Sequence, residues 1–486
     1  MDLANVQAVN PSHVGSNTRS TRSVMRQKRE TLKSINDEIV QLVQKKRRLE
    51  KDLGATYNHD ILPNEILGQI FILVAQNHGP VVFPIYNTNF PPQLTITHVC
   101  SHWRQVALRT SELWNNTCLD FRVESEMGSH NLLLLHGRWL LRARKFPVTL
   151  SVHFREPSFG VSNTLQVILF PLKVKRLHLD LKYGKFVELS ALPETILSDS
   201  ATLELCLSLY QSDLDINMNI PNHLITRIRS ITLYGSTFDV WLDKLSPSFP
   251  WGQLRSMSVP NIPITNLHPV VDVLRQMRML QALHLKVAKE CRVQDALEDV
   301  AMPSLLDFNL QVSLHGHNGE VLDKILCSFT CHSLTKFSLV TYTHWTSSTF
   351  EVLGRRYNMQ RLQEVHFSGS MVLPVSVVLQ KAPLLCKLSV ISGAILDDQA
   401  IMGISVGTLG RCLRRLELDI KCDISEVLRM VEARKQTVDG LIENGCTWEE
   451  EITVLTDVEI SIDEDDSQYR ETVNALKKAG IIITFV

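Results

Sequence analysis

The sequence lacks an excess of charge of either sign. Fifty Lys and Arg residues stand against 51 Asp and Glu residues, which leaves a formal net charge of −1 over 486 residues. A chain balanced in this way has no global field that would attract nucleic acid or an anionic membrane. We therefore expect neither of these among its partners.

Long apolar runs are also missing. No stretch approaches the roughly 18 residues that a membrane helix needs, and the first 20 residues have no apolar segment of the secretory kind. The ten cysteines are scattered without regular spacing, which fits reduced thiols better than a disulfide framework. These features predict a protein of the cytoplasm, the nucleus or both.

The sequence contains no familiar catalytic or metal-binding motif: no GxSxG elbow, no P-loop, no GxGxxG and no HExxH. Cys327, Cys331 and His332 have a metal-like spacing, but no second ligand pair lies at a structural-zinc distance. We interpret them as a helix end with buried thiols. The sequence thus predicts no catalytic residue, no metal and no cofactor, and a protein that is not an enzyme.

The N-terminal part is polar first and helical afterwards. Residues 1–23 are rich in Asn, Ser and Thr without a period, which predicts a disordered tail. Over residues 24–55, apolar side chains from Leu32 to Leu53 recur at spacings of three and four, as in a short coiled coil. Because so short a helix is marginal alone, it pairs with a second copy as a homodimer, packs on the next domain or frays. The basic run at residues 45–48 is typical of a solvated helix face, with a nuclear-import signal as the alternative.

Residues 60–114 carry the most distinctive pattern. A helix is predicted to begin at Leu62 or Pro63, since a first turn does not need the N–H that proline lacks. Two apolar stripes then run along it at helical spacing: Leu62, Ile66 and Ile70, and beside them Leu67, Phe71 and Val74. This arc is wider than one packing contact needs, and a unit of this size cannot bury it alone. The surplus predicts a partner.

A second amphipathic helix is predicted after a Pro- and Asn-rich insertion. Apolar side chains recur at helical offsets from Ile96 to Ala107, and Leu113 and Trp114 close the segment.

These blocks resemble the F-box, in the form abundant in mushroom-forming fungi. The residues that carry the resemblance are Leu62-Pro63, Glu65-Ile66-Leu67, Ile70-Phe71, Val99-Cys100, Trp103-Arg104 and Leu113-Trp114. The gap at residues 76–92 is longer than in a minimal F-box. The resemblance implies a three-helix F-box over residues 60–120 that binds a Skp-type adaptor and, through it, a cullin complex. The implied adaptor-binding or F-box-core residues are Leu62, Pro63, Ile66, Leu67, Ile70, Phe71, Val99, Cys100 and Trp103.

A strand pattern recurs from residue 147 onward. The template apolar–x–x–apolar–x–apolar fits eleven times between Pro147 and Leu418, at a mean step of about 27 residues, within the range of leucine-rich repeats. Each unit would supply a strand and a return segment, such as residues 321–326 and 375–379, that bury their apolar sides only against neighbouring units. The Asn or Cys of the fuller leucine-rich motif is missing, which indicates an irregular solenoid.

The predicted fold is therefore α/β: an N-terminal helix, a three-helix F-box, and a leucine-rich-repeat-like solenoid over residues 121–486 with a C-terminal cap. Polar residues that alternate with the core positions should line the concave face and bind a protein substrate. The charged and histidine candidates are Lys175, His178, Arg229, His284, Lys286, Lys336, His366 and Arg415. The same face should carry Thr232, Asn309, Gln311, Ser338, Glu364, Lys387, Ser389 and Glu417.

Together these patterns predict the substrate-recognition subunit of a Skp–cullin–F-box-type ubiquitin ligase. It would act by holding a target close to the ubiquitin-loaded enzyme, without bond chemistry of its own. The alternative is a non-catalytic scaffold that binds other proteins but does not act in ubiquitination.

Overall fold

A computed structural model of the chain describes the following residues: 30, 33, 37, 40–45, 62–85, 90–121, 126–143, 146–154, 161–169, 173–181, 189, 197, 201–208, 220–235, 241–242, 245, 249–292, 297–313, 319–341, 347–369, 374–391, 396–419, 423–443, 452–460 and 469–485. The chain forms two compact units, Met1–Leu73 and Val74–Val486. The predicted tail at residues 1–23 lies outside the described residues.

In the first unit, the described positions between Glu30 and Lys45 are helical and exposed. Leu42 is the only predicted coiled-coil core position among them, and it is 59% exposed. The coiled coil and the homodimer stay predictions. Of the basic run at 45–48, only Lys45 lies within the described residues.

Helix α1, Asn64–Asn77, begins one residue after the later of the two predicted starts and crosses the boundary between the units. The carbonyl of Pro63 accepts the N–H of Leu67 at 3.0 Å. Pro63 therefore precedes the helix and supplies its first acceptor, a difference within the usual spread of helix boundaries.

In the second unit, strands alternate with return segments. The strands are β1 (Val81–Phe83), β2 (Asn116–Phe121), β3 (Val148–Phe154), β4 (Val174–Leu181), β5 (Thr202–Ser208), β6 (Ile228–Tyr234), β7 (Ser256–Asn266), β8 (Ala282–Arg292), β9 (Val300–Ala301), β10 (Asp307–Val312), β11 (Phe329–Thr330), β12 (Lys336–Thr341), β13 (Glu364–Gly369), β14 (Lys387–Ile391), β15 (Arg415–Asp419), β16 (Asp457–Ile460) and β17 (Ile482–Phe485). The helices are α2 (Pro92–Val99), α3 (Ser101–Arg109), α4 (Glu126–Ala143), α5 (Val161–Leu169), α6 (Asn222–Ile225), α7 (His268–Gln276), α8 (Gly319–Ser328), α9 (Ser347–Arg356), α10 (Val375–Lys381), α11 (Asp398–Val406), α12 (Ile424–Glu443) and α13 (Arg470–Lys478). Short 3-10 turns lie at Ser111–Trp114, Trp251–Gln253 and Met359–Arg361.

Fifteen of these strands form one parallel sheet in the order of the sequence, from β1 to β17, while β9 and β11 pair separately. Parallel neighbours need a crossover connection, and the return helices belong to these connections. Consecutive return helices pack on one another, as α8 does on α9 and α11 on α12. The fold is α/β with one long parallel sheet, and its sequential strand order is compatible with a solenoid. Both predicted return segments, 321–326 and 375–379, are helical, in α8 and α10.

One face of the sheet is built from aligned apolar side chains. Phe308, Phe337, Val365, Leu388 and Leu416 are register partners in consecutive strands, and none is more than 2% exposed. All five are core positions of the predicted repeat. Each short strand buries its apolar face against the neighbouring repeats, which it could not do alone.

One predicted equivalence between repeats is wrong by two residues. The template aligns Leu177 with Leu205, whereas in the sheet Leu177 pairs with Leu203 and Leu179 with Leu205. Strand β5 is apolar at positions 203, 205 and 207 alike, so alternation fits either register. A slip of two residues leaves every side chain on its face, and for that reason the buried positions were still identified.

The sheet extends beyond the predicted repeats at both ends. Strands β1 and β2 precede the first predicted strand, and β1 lies inside the gap of the F-box pattern. At the other end β17 pairs with β16, so the segment predicted as a cap contains the last strand of the sheet. With only three residues, β1 is too short for the repeat template to detect.

The single helix predicted from Ile96 to Ala107 is wrong, because α2 ends at Val99 and α3 begins at Ser101. Cys100 between them is extended, with φ −155° and ψ 172°. Its Sγ accepts the N–H of Trp103 at 3.4 Å and so caps α3. The apolar positions of both helices keep a common phase across the break, and periodicity alone therefore reads them as one helix.

Candidate functional site

The two apolar stripes predicted on α1 differ in exposure. Leu67 and Phe71 of the second stripe are each 1% exposed. The first stripe is open: Leu62 is 38%, Ile66 50% and Ile70 40% exposed. Leu73, at 60% exposed, belongs to the same surface, because positions 66, 70 and 73 of α1 span only about 60° at 3.6 residues per turn and Leu62 lies just before the helix. We call these four residues the α1 stripe.

This exposure divides the predicted adaptor-binding set within the first unit. Leu67 and Phe71 are core residues, whereas Leu62, Ile66 and Ile70 are accessible to a partner. Pro63 is also exposed and immediately precedes the first residue of α1. The sequence could not assign these roles, because both stripes are equally apolar.

Three predicted residues lie in the second unit. Val99 is 54% exposed at the end of α2, while Cys100 and Trp103 are half-buried. Cys100 has a structural role as the cap of α3. The Nε of Arg104 donates to the carbonyl of Thr97 at 2.8 Å and ties α3 back to α2.

The Leu113-Trp114 block is part of the core of the second unit. Leu113 is 3% and Trp114 0% exposed. The indole Nε1 of Trp114 donates to the carbonyl of Ala107 at 2.8 Å, and the guanidinium of Arg142 lies 4.6 Å from the centre of its ring system. These contacts anchor the 3-10 turn to α3 and α4.

The polar face of the sheet aligns most of the predicted substrate-binding residues in rows. The first row, strand by strand, is His178, Glu204, Ser230, Ser256, Ala282, Asp307, Lys336, Glu364, Lys387, Arg415 and Asp457. The second is His153, Asp180, Cys206, Thr232, Ser258, His284, Asn309, Ser338, His366, Ser389, Glu417 and Glu459. Lys286 and Gln311 are partners in a third row.

Lys175 and Arg229 have no register partner in the neighbouring strands. The register slips by one residue at Lys175 between β3 and β4, and at Arg229 between β5 and β6. Arg176 pairs with Thr149 and Thr202, and Ser230 pairs with Glu204 and Ser256. A bulge adds one residue to a strand without changing its residue types, so the apolar–polar alternation of the sequence does not reveal where the bulge lies. That the two basic residues bind substrate stays a prediction.

Three cations of the polar face are paired with acids of the neighbouring strand or of their own strand. The Nζ of Lys336 lies 2.7 Å from Glu364, and Lys387 and Arg415 lie 2.9 and 2.7 Å from Glu417. Burial would raise the pKa of Glu417, but hydrogen bonds, above all from Lys387, hold that pKa below its ordinary value. The polar face therefore carries charges of both signs, with candidate cations and acids in contact.

Sequence reasoning missed part of this acidic complement. Arg415 also approaches Asp457 at 3.5 Å and Glu459 at 3.7 Å, and Glu204 accepts from Arg176 at 3.1 Å. Part of the signal was available, because Arg415 and Asp457 have opposite charges at equivalent positions of consecutive strands.

Two histidines of the second row are hydrogen-bonding groups. The Nδ1 of His366 lies 2.8 Å from the Ser389 hydroxyl, and the Nδ1 of His284 lies 3.4 Å from the Ser258 hydroxyl. Burial lowers the pKa of both imidazoles, which favours their neutral form at neutral pH. They add recognition groups to the face without adding charge.

Among the described residues, no group of three or more His, Cys, Asp or Glu side chains is placed to hold a metal ion. Cys331 is fully buried, and burial raises the pKa of its thiol to about 12; Cys327 is half-buried. None of the helices in the described ranges is both long and apolar enough to span a bilayer.

Comparison of the chain with protein-family models and with curated proteins gives no match. The α1 stripe and the polar face of the sheet are therefore the two features from which a function is inferred.

Proposed function

We propose that this protein is the substrate-recognition subunit of a Skp–cullin–F-box-type ubiquitin ligase. The α1 stripe binds the Skp-type adaptor. The polar face of the sheet, which we interpret as an irregular leucine-rich repeat, binds a protein substrate. The subunit contributes proximity and carries no catalytic group of its own.

The α1 stripe is the observation that carries this proposal. Ile66, Ile70 and Leu73 lie exposed on one face of α1, and Leu62 lies exposed two residues before the helix begins. The sequence of this segment resembles the opening block of an F-box. Contiguous exposed apolar surface marks interaction sites, and a helix that docks in a groove uses anchors at spacings of three and four. Leu67 and Phe71, on the neighbouring face of α1, are already buried, whereas the stripe remains available to a second protein.

The polar face supports a protein substrate rather than a polyanion. Its rows contain charges of both signs, with Lys336 between Asp307 and Glu364. Exposed ion pairs contribute only about 0–1 kcal/mol each, so a partner can exchange them for its own charges at little cost. A surface of mixed sign with histidine, serine and asparagine between the charges fits a protein surface of mixed sign.

The test is co-purification of the full chain with the Skp-type adaptor of its host, comparing wild type with the double variant Ile66→Ser, Ile70→Ser. Completing the burial of two half-exposed isoleucines contributes about 2–3 kcal/mol, so the double variant should bind about 30- to 150-fold more weakly. The matched control is Met402→Ser, Val406→Ser, which removes two exposed side chains at the same spacing on α11. Equal binding by the two double variants would refute the assignment of the stripe.

A second measurement separates a ubiquitin-ligase subunit from a scaffold. In cells that carry only the Ile66→Ser, Ile70→Ser chain, the substrate should accumulate because it is no longer brought to the ligase. Loss of adaptor binding without accumulation of any protein would favour the scaffold. Point substitutions are needed here, since deletion of residues 60–114 would also remove β1, α2 and α3 from the second unit.

A further inference from the structure

A cavity of about 680 Å³ opens beside β1. Its lining comes from two segments: residues 78–82, 84 and 85, which include Val81 and Val82 of β1, and residues 90–93, at the start of α2. Within the described part of the chain, β1 is the first strand of the sheet and pairs only with β2. The cavity thus lies along a sheet edge, and its volume is in the range of about 300–1,000 Å³ that ligand pockets occupy.

Gln93 supplies one polar side chain of this cavity, and His78 supplies another. The Gln93 side chain is 3% exposed, and its Oε1 is buried without a hydrogen-bond partner in the described ranges. Buried polar side-chain atoms are paired in the large majority of cases, so an unpaired one needs a reason. A ligand that brings a hydrogen-bond donor into the cavity supplies that reason.

The free edge of β1 and the residues that line the cavity indicate which class of ligand fits it. An edge strand presents unpaired backbone N–H and C=O groups, and Val82 at the centre of β1 is 46% exposed. Pro84, Pro91 and Pro92 line the cavity; their rings fix the local chain, which preforms the walls. Phe90, 60% exposed, adds apolar surface for a side chain.

We propose that this cavity binds an extended peptide segment of a partner protein. A peptide backbone offers both donors and acceptors, as do the free edge of β1 and the amide of Gln93. Addition of a strand to an open sheet edge is an established mode of peptide recognition. An apolar ligand would leave the Gln93 oxygen unpaired, and an anion would meet a second acceptor there. This site is independent of the adaptor-binding proposal.

The test uses the purified full chain and a phage-displayed library of random nine-residue peptides as the probe. Enriched peptides are synthesised, and their affinity is measured by fluorescence anisotropy. Gln93→Leu should weaken binding at least tenfold, and Phe90→Ala, which removes an exposed ring, should weaken it as well. The matched control is Gln105→Leu, an exposed glutamine on α3 outside the cavity, which should bind like wild type.

Each variant is first checked for an unchanged unfolding midpoint. If Gln93→Leu lowers that midpoint, Phe90→Ala alone decides the comparison. Bound peptide should also slow hydrogen exchange at residues 81–83. Failure to enrich any peptide over the support alone would overturn the proposal, and so would peptides that bind the cavity variants as well as the control.

Discussion

Arg434 of α12 is predicted to be the residue whose loss most destabilises the C-terminal part of the sheet. Its side chain is 0% exposed, and its guanidinium donates to four backbone carbonyls. The acceptors are Thr453 at 3.0 Å, Ile404 at 3.0 Å, Gly410 at 2.8 Å and Arg411 at 2.9 Å. One side chain thus joins α12 to the last turn of α11, the segment before β15 and the segment before β16.

The expected magnitude follows from which carbonyls keep a partner. Burial lowers the pKa of Arg434 to about 10, so the guanidinium stays protonated at neutral pH although its desolvation offsets part of its hydrogen bonding. Three of the four carbonyls also accept a backbone N–H, whereas the Thr453 carbonyl would be left without its donor. Thr453 is half-buried, so the loss of its donor costs about 1–2 kcal/mol, within the range of about 1–3 kcal/mol for a buried carbonyl, and each of the other lost bonds costs about 0.5–1 kcal/mol. After the relief of charge burial, Arg434→Met should cost about 2–4 kcal/mol.

The measurement is the free energy of unfolding in urea, together with hydrogen exchange over residues 398–413 and 424–443. In Arg434→Met, backbone amide hydrogen exchange should accelerate in both segments, because the hydrogen bonds of the Arg434 guanidinium connect them. The control is Arg429→Met on the same helix, whose side chain is 71% exposed and whose loss should cost less than about 0.5 kcal/mol. If the two variants unfold at the same urea concentration, the hydrogen bonds of Arg434 do not stabilise the fold and the reasoning is refuted.

Three other sites give predictions of defined sign. His136 is 1% exposed and burial lowers its pKa to about 4, so the unfolded chain binds a proton near pH 6.5 that the folded chain does not. The free energy of unfolding should therefore fall by up to about 3 kcal/mol as pH drops from 6.5 to 4, and melts at several pH values should show a flatter slope in His136→Gln. Gly369 has φ +135°, and a Cβ there would lie 1.4 Å from a carbonyl oxygen of β12; Gly369→Ala should cost about 3 kcal/mol or more, while Gly354→Ala, in open space on α9, should be neutral or stabilise by up to about 1 kcal/mol. Equal melting temperatures for the two alanine variants would contradict this. Lys336→Ala breaks an exposed pair with Glu364 and should change the free energy of unfolding by less than about 1 kcal/mol, a difference that should shrink further in high salt.

The core of the sheet could be predicted from sequence because burial itself imposes the pattern. Phe337 and Leu339 are apolar since their face of β12 is covered, and the same holds at Val365 and Phe367 of β13. Alternation reveals which face is buried. It does not reveal which residues are opposite each other, and β5 was therefore aligned two residues away from its place.

Local interruptions of helices and strands are not visible in the residue types of the sequence. Cys100 separates two helices through one extended residue, and the bulges at Lys175 and Arg229 each insert one residue into a strand. In each case the flanking apolar pattern continues in phase or nearly so. These features depend on backbone conformation at single positions, which residue type alone does not determine.

The sequence predicts which segments contain the candidate site, but it does not predict which of their residues are exposed or how the charged residues pair. The width of the apolar arc on α1 indicated surplus surface, but tertiary packing decides that Leu67 is buried and Ile66 is not. On the polar face the cations were found, whereas their pairing with acids depends on register. Lys387 reaches Glu417 diagonally, at a position one strand on and two residues along, and a slip of two residues would break that pair.

The overlap between the F-box pattern and the sheet determines which substitutions are informative. Strand β1 lies in the gap of that pattern, and α2 and α3 belong to the connection from β1 to β2, which pair at Val81 and Thr117. Residues of the later F-box blocks, such as buried Trp114, therefore also hold the first strands of the sheet. Loss of adaptor binding in a Trp114 variant would follow from either role and would decide nothing. Ile66 and Ile70 are exposed and lie outside this connection, so their substitution tests binding without disturbing the sheet.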